Sequence, residues 1–600
     1  MSLNAQSLQP LIQFIYSVAD QVLINTYEPS KYKDVILPMT VIRRLDAVLE
    51  PTKERVLATN EKYKGKLNDL TSVLTSKQNG SGQAFYNTSP YTLKKLLDDP
   101  KNLKSNFENY LNGFSDNVQD IISKFKFRNE IETLDESKKL FSTIEKFVSP
   151  KIDLRPSHLP PLAMGYVFED LLRRFNEATN AEAGRHFTPR EIIELMTHVL
   201  FLPVKDQIQQ GTFLVYDPCA GSGAMLTESK KYITDEEGEI RSKAEIHLYG
   251  QENTPTIYAI SKSDMLLKGE DPEKIVFGST LSAYGFDKNM QFDFMLTNPP
   301  YGTSWADDKK ALGVGQKGAI IDSRFKVGTS RVNDGQLMFV LHMLSKMKVT
   351  ELGSRIASVH NGSALFTGDA GQGESEIRKH IISGDLLEAI IALPKDIFYN
   401  TGIPTYIFIM TNRKPESRKG KVQLINASGD SFFSKMPKPL GSKRNELKKE
   451  HINEITRVYT AFEENEYSRI FDNSEFGFSQ ITVYRPERNE KGQIIYASKG
   501  KPKSDNKLKD TENIPLKVSI QEFFEREVIP FAPDAWWNKD ETKIGYEINF
   551  AKFFYKHQPP RSLTEIAKDI LAIEQETEGL LNEIIESKSA VNIEEQELNF

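Results

Sequence analysis

Phe213-Leu214-Val215-Tyr216-Asp217-Pro218-Cys219-Ala220-Gly221-Ser222-Gly223-Ala224-Met225-Leu226 decides how the middle of this 600-residue chain is read. A short apolar run, an acid, a glycine-containing turn and then helix-forming residues predict a strand, a tight turn and a helix start. That is the nucleotide-binding corner of a doubly wound fold. Glycines in the turn let a ligand approach the backbone, and the helix start offers unpaired N–H groups to an anion. No Lys-Ser/Thr follows, so this is not a phosphate-gripping Walker loop, and the full G-x-G-x-x-G pattern is absent. Asp217, at the strand end, is placed to hold a ligand's ammonium.

Working outward, Ile246–Gly250 predicts a second strand that ends at Gln251-Glu252. An acid there is where such folds bind ribose hydroxyls. The 35 residues from Asp217 to Glu252 exceed the roughly 20 of compact sites, because the polar insert 234–243 lies between them. Further strands are expected at Ile275–Phe277, Phe292–Thr297, Arg355–His360, Ala389–Leu393 and Tyr406–Met410, with helical patterns such as Glu191–Leu200 and Gln336–Met347 among them. Alternation of this kind predicts a mostly parallel sheet.

Thr297-Asn298-Pro299-Pro300-Tyr301 lies 81 residues past Asp217 at the end of one of these strands. Pro-Pro can neither continue a ladder nor enter a helix interior, so the backbone stops in a stiff extended turn. The Asn298 side chain and the Pro299 carbonyl become fixed acceptors, with the Tyr301 ring beside them. Two acceptors and an aromatic face suit an exocyclic amine on a planar base. Drawing both N–H bonds to fixed acceptors localises the nitrogen lone pair and makes it a better nucleophile.

Around this core, residues 1–155 read as a helical domain, with Leu8, Leu11, Ile12, Ile15 and Val18 at helical spacing. The stretch 71–89 reads as a loop. Residues 156–412 form the sheet domain. Residues 413–560 are a basic accessory region: 413–450 holds eleven Lys/Arg against four Asp/Glu, which suggests an exposed, partly irregular segment, and 489–513 is loop-like. Either stretch suits contact with phosphate as well as a plain solvated surface. Residues 561–600 start with a capping box, Ser562-Leu563-Thr564-Glu565. A heptad stripe of Leu563, Ile566, Ile570, Ile573, Thr577, Leu580 and Ile584 follows. A helix of this pattern packs on its own domain or on a partner helix, and we favour the partner.

Composition excludes several classes. No apolar run reaches the roughly 18 residues of a membrane span, no secretory leader is visible, and the single Cys219 forbids a disulfide framework or a Cys-built zinc site. No metal site is expected, and the cytoplasm is the expected compartment. The net charge of −6 is unlike a protein that grips nucleic acid alone.

Taken together, Asp217–Leu226, Glu252 and Asn298–Tyr301 resemble the cofactor and catalytic motifs of amino-group DNA methyltransferases. Gly184-Arg185-His186-Phe187-Thr188-Pro189-Arg190 resembles the Phe-Thr-Pro element of the adenine-N6 branch. The order of motifs, the helical N-terminus and the helical tail are similar to the modification subunits of type I restriction–modification systems.

The resemblance implies a Rossmann-like doubly wound methyltransferase sheet with an N-terminal helical domain and a C-terminal helical tail. It implies S-adenosylmethionine as cofactor and methyl transfer to N6 of a flipped adenine in double-stranded DNA. Arg185, His186, Phe187, Thr188, Pro189 and Arg190 wrap the methionine part; Asp217, Gly221, Ser222, Gly223 and Ala224 hold the amino-acid end; Glu252 holds the ribose. Asn298, Pro299, Pro300 and Tyr301 form the catalytic turn. Ser279 stands where relatives often place an Asp near the cofactor's adenine, and Asp264 is a less well placed substitute. Implied partners are a DNA-specificity subunit, a second copy of the chain and, in a complete system, a restriction (nuclease and translocase) subunit. A stand-alone methyltransferase and a non-catalytic assembly subunit remain the alternatives. A fused nuclease would have to use Asp534 with Glu541 and Lys543, at cramped spacing.

Overall fold

The computed structural model describes residues 7–178, 188–313, 320–399, 401–497, 501–554 and 562–573. The chain divides into two units, Met1–Asn549 and Phe550–Phe600.

In the first unit nine strands form one sheet: β1 (Thr212–Asp217), β2 (Glu245–Glu252), β3 (Ile275–Phe277), β4 (Phe294–Thr297), β5 (Arg355–Asn361), β6 (Leu387–Ala392), β7 (Thr405–Thr411), β8 (Lys421–Asn426) and β11 (Ser468–Asp472), with β9 (Ser434–Leu440) and β10 (Lys443–Glu446) paired separately as a hairpin. The order is β11-β8-β6-β7-β5-β4-β1-β2-β3. The run β3-β2-β1-β4-β5 is parallel throughout. β7 lies antiparallel between β5 and β6, and β8 is again parallel to β6. The expected doubly wound sheet is present, and each of the seven expected strands is found. β7 returns antiparallel to β6 through the connection 393–404, which contains no helix among its described residues, whereas the parallel neighbours β1 and β2 are joined through a helix.

The sheet does not stop at residue 412. β8 and β11 extend it through the stretch whose charge suggested an accessory region. Buried Val422, Leu424 and Ile425 supply the apolar face there. A buried ionic network fixes this edge: Arg355 of β5 donates to Glu388 of β6 at 2.8 Å and to the Tyr459 hydroxyl at 2.7 Å, and Arg418 approaches the same glutamate at 3.4 Å. Tyr459 belongs to the helix Lys449–Ala461, so β5, β6 and that helix share one charge cluster.

The N-terminal residues are helical as expected. Their core is continuous with Ile257, Ile260 and Leu266 of the helix Pro255–Lys268 that follows β2. Asp120 seals the contact, accepting from Tyr258 at 2.7 Å and Lys262 at 3.2 Å. The end of the unit is a small antiparallel sheet of β12 (Gly477–Tyr484), β13 (Asp510–Pro515), β14 (Trp536–Trp537) and β15 (Lys543–Tyr546). It gives no support to a nuclease site, because Asp534 pairs with Arg485 and Arg488 while Glu541 accepts from Tyr484 and Asn538.

In the second unit the capping box forms as expected. The Ser562 N–H donates to Glu565 at 3.1 Å, and the Glu565 N–H donates to the Ser562 hydroxyl at 3.2 Å. Helical residues 563–573 follow, with Leu563, Ile566, Ile570 and Ile573 exposed. Thr577, Leu580 and Ile584 lie outside the described residues.

Candidate active site

At the carboxyl ends of β1, β2 and β4 the three motifs meet around a cleft of about 360 Å³. The strand order reverses beside β1, and such switch points open a crevice in doubly wound sheets. Asp217 is buried at the end of β1, and its Oδ1 accepts from the Cys219 N–H at 2.9 Å and the Thr297 hydroxyl at 2.8 Å. Burial pushes its pKa up to about 7. Glu252, at the end of β2, is also buried, accepting from the Gly221 N–H at 3.1 Å and the Thr254 N–H at 2.7 Å. Its pKa is also raised, chiefly by burial. Two carboxylates, one per strand end, thus line the cleft with the turn between them.

Local backbone explains the turn. Gly221 and Gly223 adopt φ of 54° and 83°, and a Cβ on Gly223 would meet the Ser261 hydroxyl at 2.8 Å. The helix Ala224–Thr234 starts directly after it. Ser222 and Ala224 line the cleft with Gly221.

Asn298, at the end of β4, is the residue expected to act as acceptor. Its side-chain N–H donates to the Thr188 hydroxyl at 3.1 Å, which turns Oδ1 the other way. That Oδ1 is buried and has no hydrogen-bond partner among the described residues. Its neighbour Thr297 carries the bond to Asp217, so the Asn298 turn and the carboxylate at the end of β1 share one linkage. The Gly302 N–H donates to Asp334 at 3.1 Å, fixing the far side of the turn. Pro300 lines the cleft while Pro299 is buried. Tyr301 is half-buried, with its hydroxyl pushed up to about 12 by burial, and does not line the cleft.

Of the Phe-Thr-Pro element, Arg185, His186 and Phe187 lie outside the described residues. Thr188 lines the cleft. Pro189 caps the helix Arg190–Phe201, its carbonyl accepting from Ile192 and Ile193. Arg190 pairs with Glu228 at 3.2 Å and lies over the Tyr166 ring. Ser279 lines the cleft. Asp264 is paired with Lys268 at 2.6 Å and takes no part in the cleft's lining.

Sequence reasoning missed the braces. The Gln251 amide donates to the carbonyls of Gly278 (3.1 Å) and Ala283 (2.8 Å), shaping the loop after β3. The Thr280 hydroxyl donates to the Pro218 carbonyl at 2.5 Å, tying that loop to the glycine turn. Arg324 donates to the carbonyls of Thr280 and Leu281 at 2.9 and 2.6 Å, so part of the segment Gly302–Gly335 packs against the loop after β3. Trp305 and Phe339 add apolar walls. Gln251 adjoins Glu252 and Thr297 adjoins Asn298 in the chain, and that adjacency is the one signal the sequence carries for either brace.

With the geometry in place, comparison with known proteins is decisive. Residues 162–481 match the N-6 DNA Methylase family and residues 11–147 match the HsdM N-terminal domain. This chain belongs to the N-6 DNA methylase family. Its relatives include the type I restriction enzyme MjaIX methylase subunit of Methanocaldococcus jannaschii, 26% identical over 419 residues and covering 69% of this chain and 67% of that one. The HindI methylase subunit of Haemophilus influenzae is 30% identical over 285 residues, covering 47% and 58%. Matches to such relatives thus span from over half to two thirds of their length. A crystal structure of a type I restriction-modification methyltransferase subunit from Streptococcus thermophilus shares the fold, with a TM-score of 0.60 and 24% identity, covering 79% of this chain and 97% of that one. A methylase domain behind an HsdM-type helical domain is the build of a type I methylase subunit.

Proposed function

We propose that this methylase transfers a methyl group from S-adenosylmethionine to N6 of adenine in double-stranded DNA, as the modification subunit of a type I restriction–modification complex. It is then a site-specific, adenine-specific DNA methyltransferase working in the cytoplasm. Its partners are a DNA-specificity subunit, a second copy of itself and, in a complete system, a restriction subunit.

The observation that carries this is the Oδ1 of Asn298 at the end of β4, buried and without a hydrogen-bond partner among the described residues, beside a cleft lined by Asp217 at the end of adjacent β1 and Glu252 at the end of β2 beyond it. The cleft fits the cofactor: its volume is within the roughly 300–1,000 Å³ of small-molecule sites. Asp217 suits an ammonium, Glu252 a ribose diol, and the glycine turn a close backbone approach. Bound there, S-adenosylmethionine supplies an electrophilic methyl on a sulfonium.

The chain's own residues do the rest. Asn298 Oδ1 and the Pro299 carbonyl accept the two N–H bonds of the adenine amine and localise its lone pair. Thr188 holds the Asn298 amide so that the oxygen faces the amine. Adenine in a duplex must leave the stack to reach them, costing a few kcal/mol; the two hydrogen bonds and stacking on Tyr301 offset this. Positioning dominates over acid–base chemistry. The test is transfer of a labelled methyl from S-adenosylmethionine to duplex DNA by the purified complex, with the product nucleoside identified. N6-methyladenine is expected. A label in cytosine, in RNA or in protein alone overturns the proposal.

A further inference from the structure

The hairpin β9–β10 has a composition and an anchorage that the cofactor site does not use. Lys435, Lys438 and Arg444 are exposed on it, and Lys395 is exposed at its foot. Among the described residues none of these four is in an ion pair with an acid. In 434–446 only Glu446 is acidic. Pro437 and Pro439 deny β9 further strand pairing, so the edge is not built to extend a sheet.

The stem, by contrast, is rigidly held. Lys443 is buried, pairs with Glu191 and donates to the Ile397 carbonyl at 3.1 Å. The N–H groups of Arg444 and Asn445 donate to the Asp396 carbonyl at 2.8 and 3.1 Å, and that of Ser442 to the Tyr399 carbonyl at 2.8 Å. Gly441, at φ 60°, makes the turn where a Cβ would meet the Tyr399 carbonyl at 2.5 Å. Glu191 lies in the first turn of the helix Arg190–Phe201, three residues after Thr188, the partner of Asn298. The loop 393–404 that receives the stem leaves β6 at the edge of the sheet that carries the cleft. One buried cation is thus used to bolt a strip of exposed cations to the lip of the active site.

We infer that the β9–β10 hairpin is a backbone clamp for duplex DNA, its Lys435, Lys438 and Arg444 lying on phosphates beside the base being modified. The inference rests on the proposed DNA substrate. It resolves the charge problem, because a chain of net charge −6 needs a local positive surface to meet a polyanion. Phosphate contacts of this kind position the duplex and carry no sequence information.

The test uses the complex as it purifies, with K435Q/K438Q/R444Q against wild type and against the charge-keeping K435R/K438R/R444K. Every phosphate that is no longer neutralised lowers the slope of log affinity against log salt by about 0.9. The neutral variant is expected to lose between two and three units of slope and about tenfold or more in affinity, equally for cognate and non-cognate duplexes. S-adenosylmethionine affinity should stay unchanged, and the charge-keeping variant should bind like wild type. An unchanged slope in a complex that still methylates DNA overturns the clamp and leaves the proposed function standing. Loss of subunit assembly in place of DNA affinity also overturns it, marking the hairpin as a protein contact. A wild-type complex without affinity for duplex DNA overturns both.

Discussion

Asp217 is held by burial at a pKa of about 7, so half of the empty sites are neutral near that pH. A ligand ammonium needs the carboxylate. Below the folded pKa the proton must first be displaced, so affinity for S-adenosylmethionine should rise about tenfold per unit up to pH 7. The ligand's own α-ammonium loses its proton at about pH 8, so the rise levels off above pH 7 and gives way to a fall. Calorimetric titration across this range checks it; a flat profile contradicts the role. Asp217→Asn should remove the slope and the tight binding together. The raised pKa means that burying Asp217 costs folded-state stability as pH rises from the ordinary carboxylate range to about 7, and the full cost persists above that. The variant should therefore melt no lower than wild type at pH 8, separating a binding loss from a folding loss. Asp217, Glu252 and Asn298 were legible because each ends an apolar run. The acceptor that orients Asn298 was legible only as a motif letter: that Thr188 meets it depends on a contact spanning 110 residues.

At the level of elements, Gly223→Ala places a side chain in a left-handed turn against Ser261. It should cost about 1–3 kcal/mol and weaken cofactor binding, seen in thermal unfolding and titration. Glu388→Ala leaves two buried guanidinium groups, Arg355 and Arg418, without their shared carboxylate. Breaking such a pair costs about 3–5 kcal/mol, measurable by denaturant unfolding, with no direct effect on the cleft. Elements β1 to β7 were readable because short apolar runs alternate with helical periods. β8 and β11 were not. The four residues Val422-Gln423-Leu424-Ile425 sit among lysines and arginines, and buried Gln423 breaks the apolar run by bonding the Val458 carbonyl and Ser468. The antiparallel placement of β7 carries no sequence period at all.

Across the whole molecule, one sheet edge joins a cofactor cradle to an acceptor turn, and a helical domain packs on the helix behind the cradle. The C-terminal helix begins with its capping box formed and with Leu563, Ile566, Ile570 and Ile573 of its apolar stripe exposed. Deleting 562–600 should remove partner subunits from co-purification while S-adenosylmethionine still binds; an unchanged complex would reassign that helix. The meeting of the motifs was legible, because spacing along alternating strands and helices maps onto one edge. The braces between loops were not, since they join residues whose proximity exists only after folding. The central claim concerns a single atom, the unpartnered oxygen of Asn298. Methyl transfer by the assembled complex carrying Asn298→Ala tests it most directly. A fall of about 10²–10³-fold or more, with S-adenosylmethionine and DNA still bound, is the expected result; undiminished transfer would contradict the account.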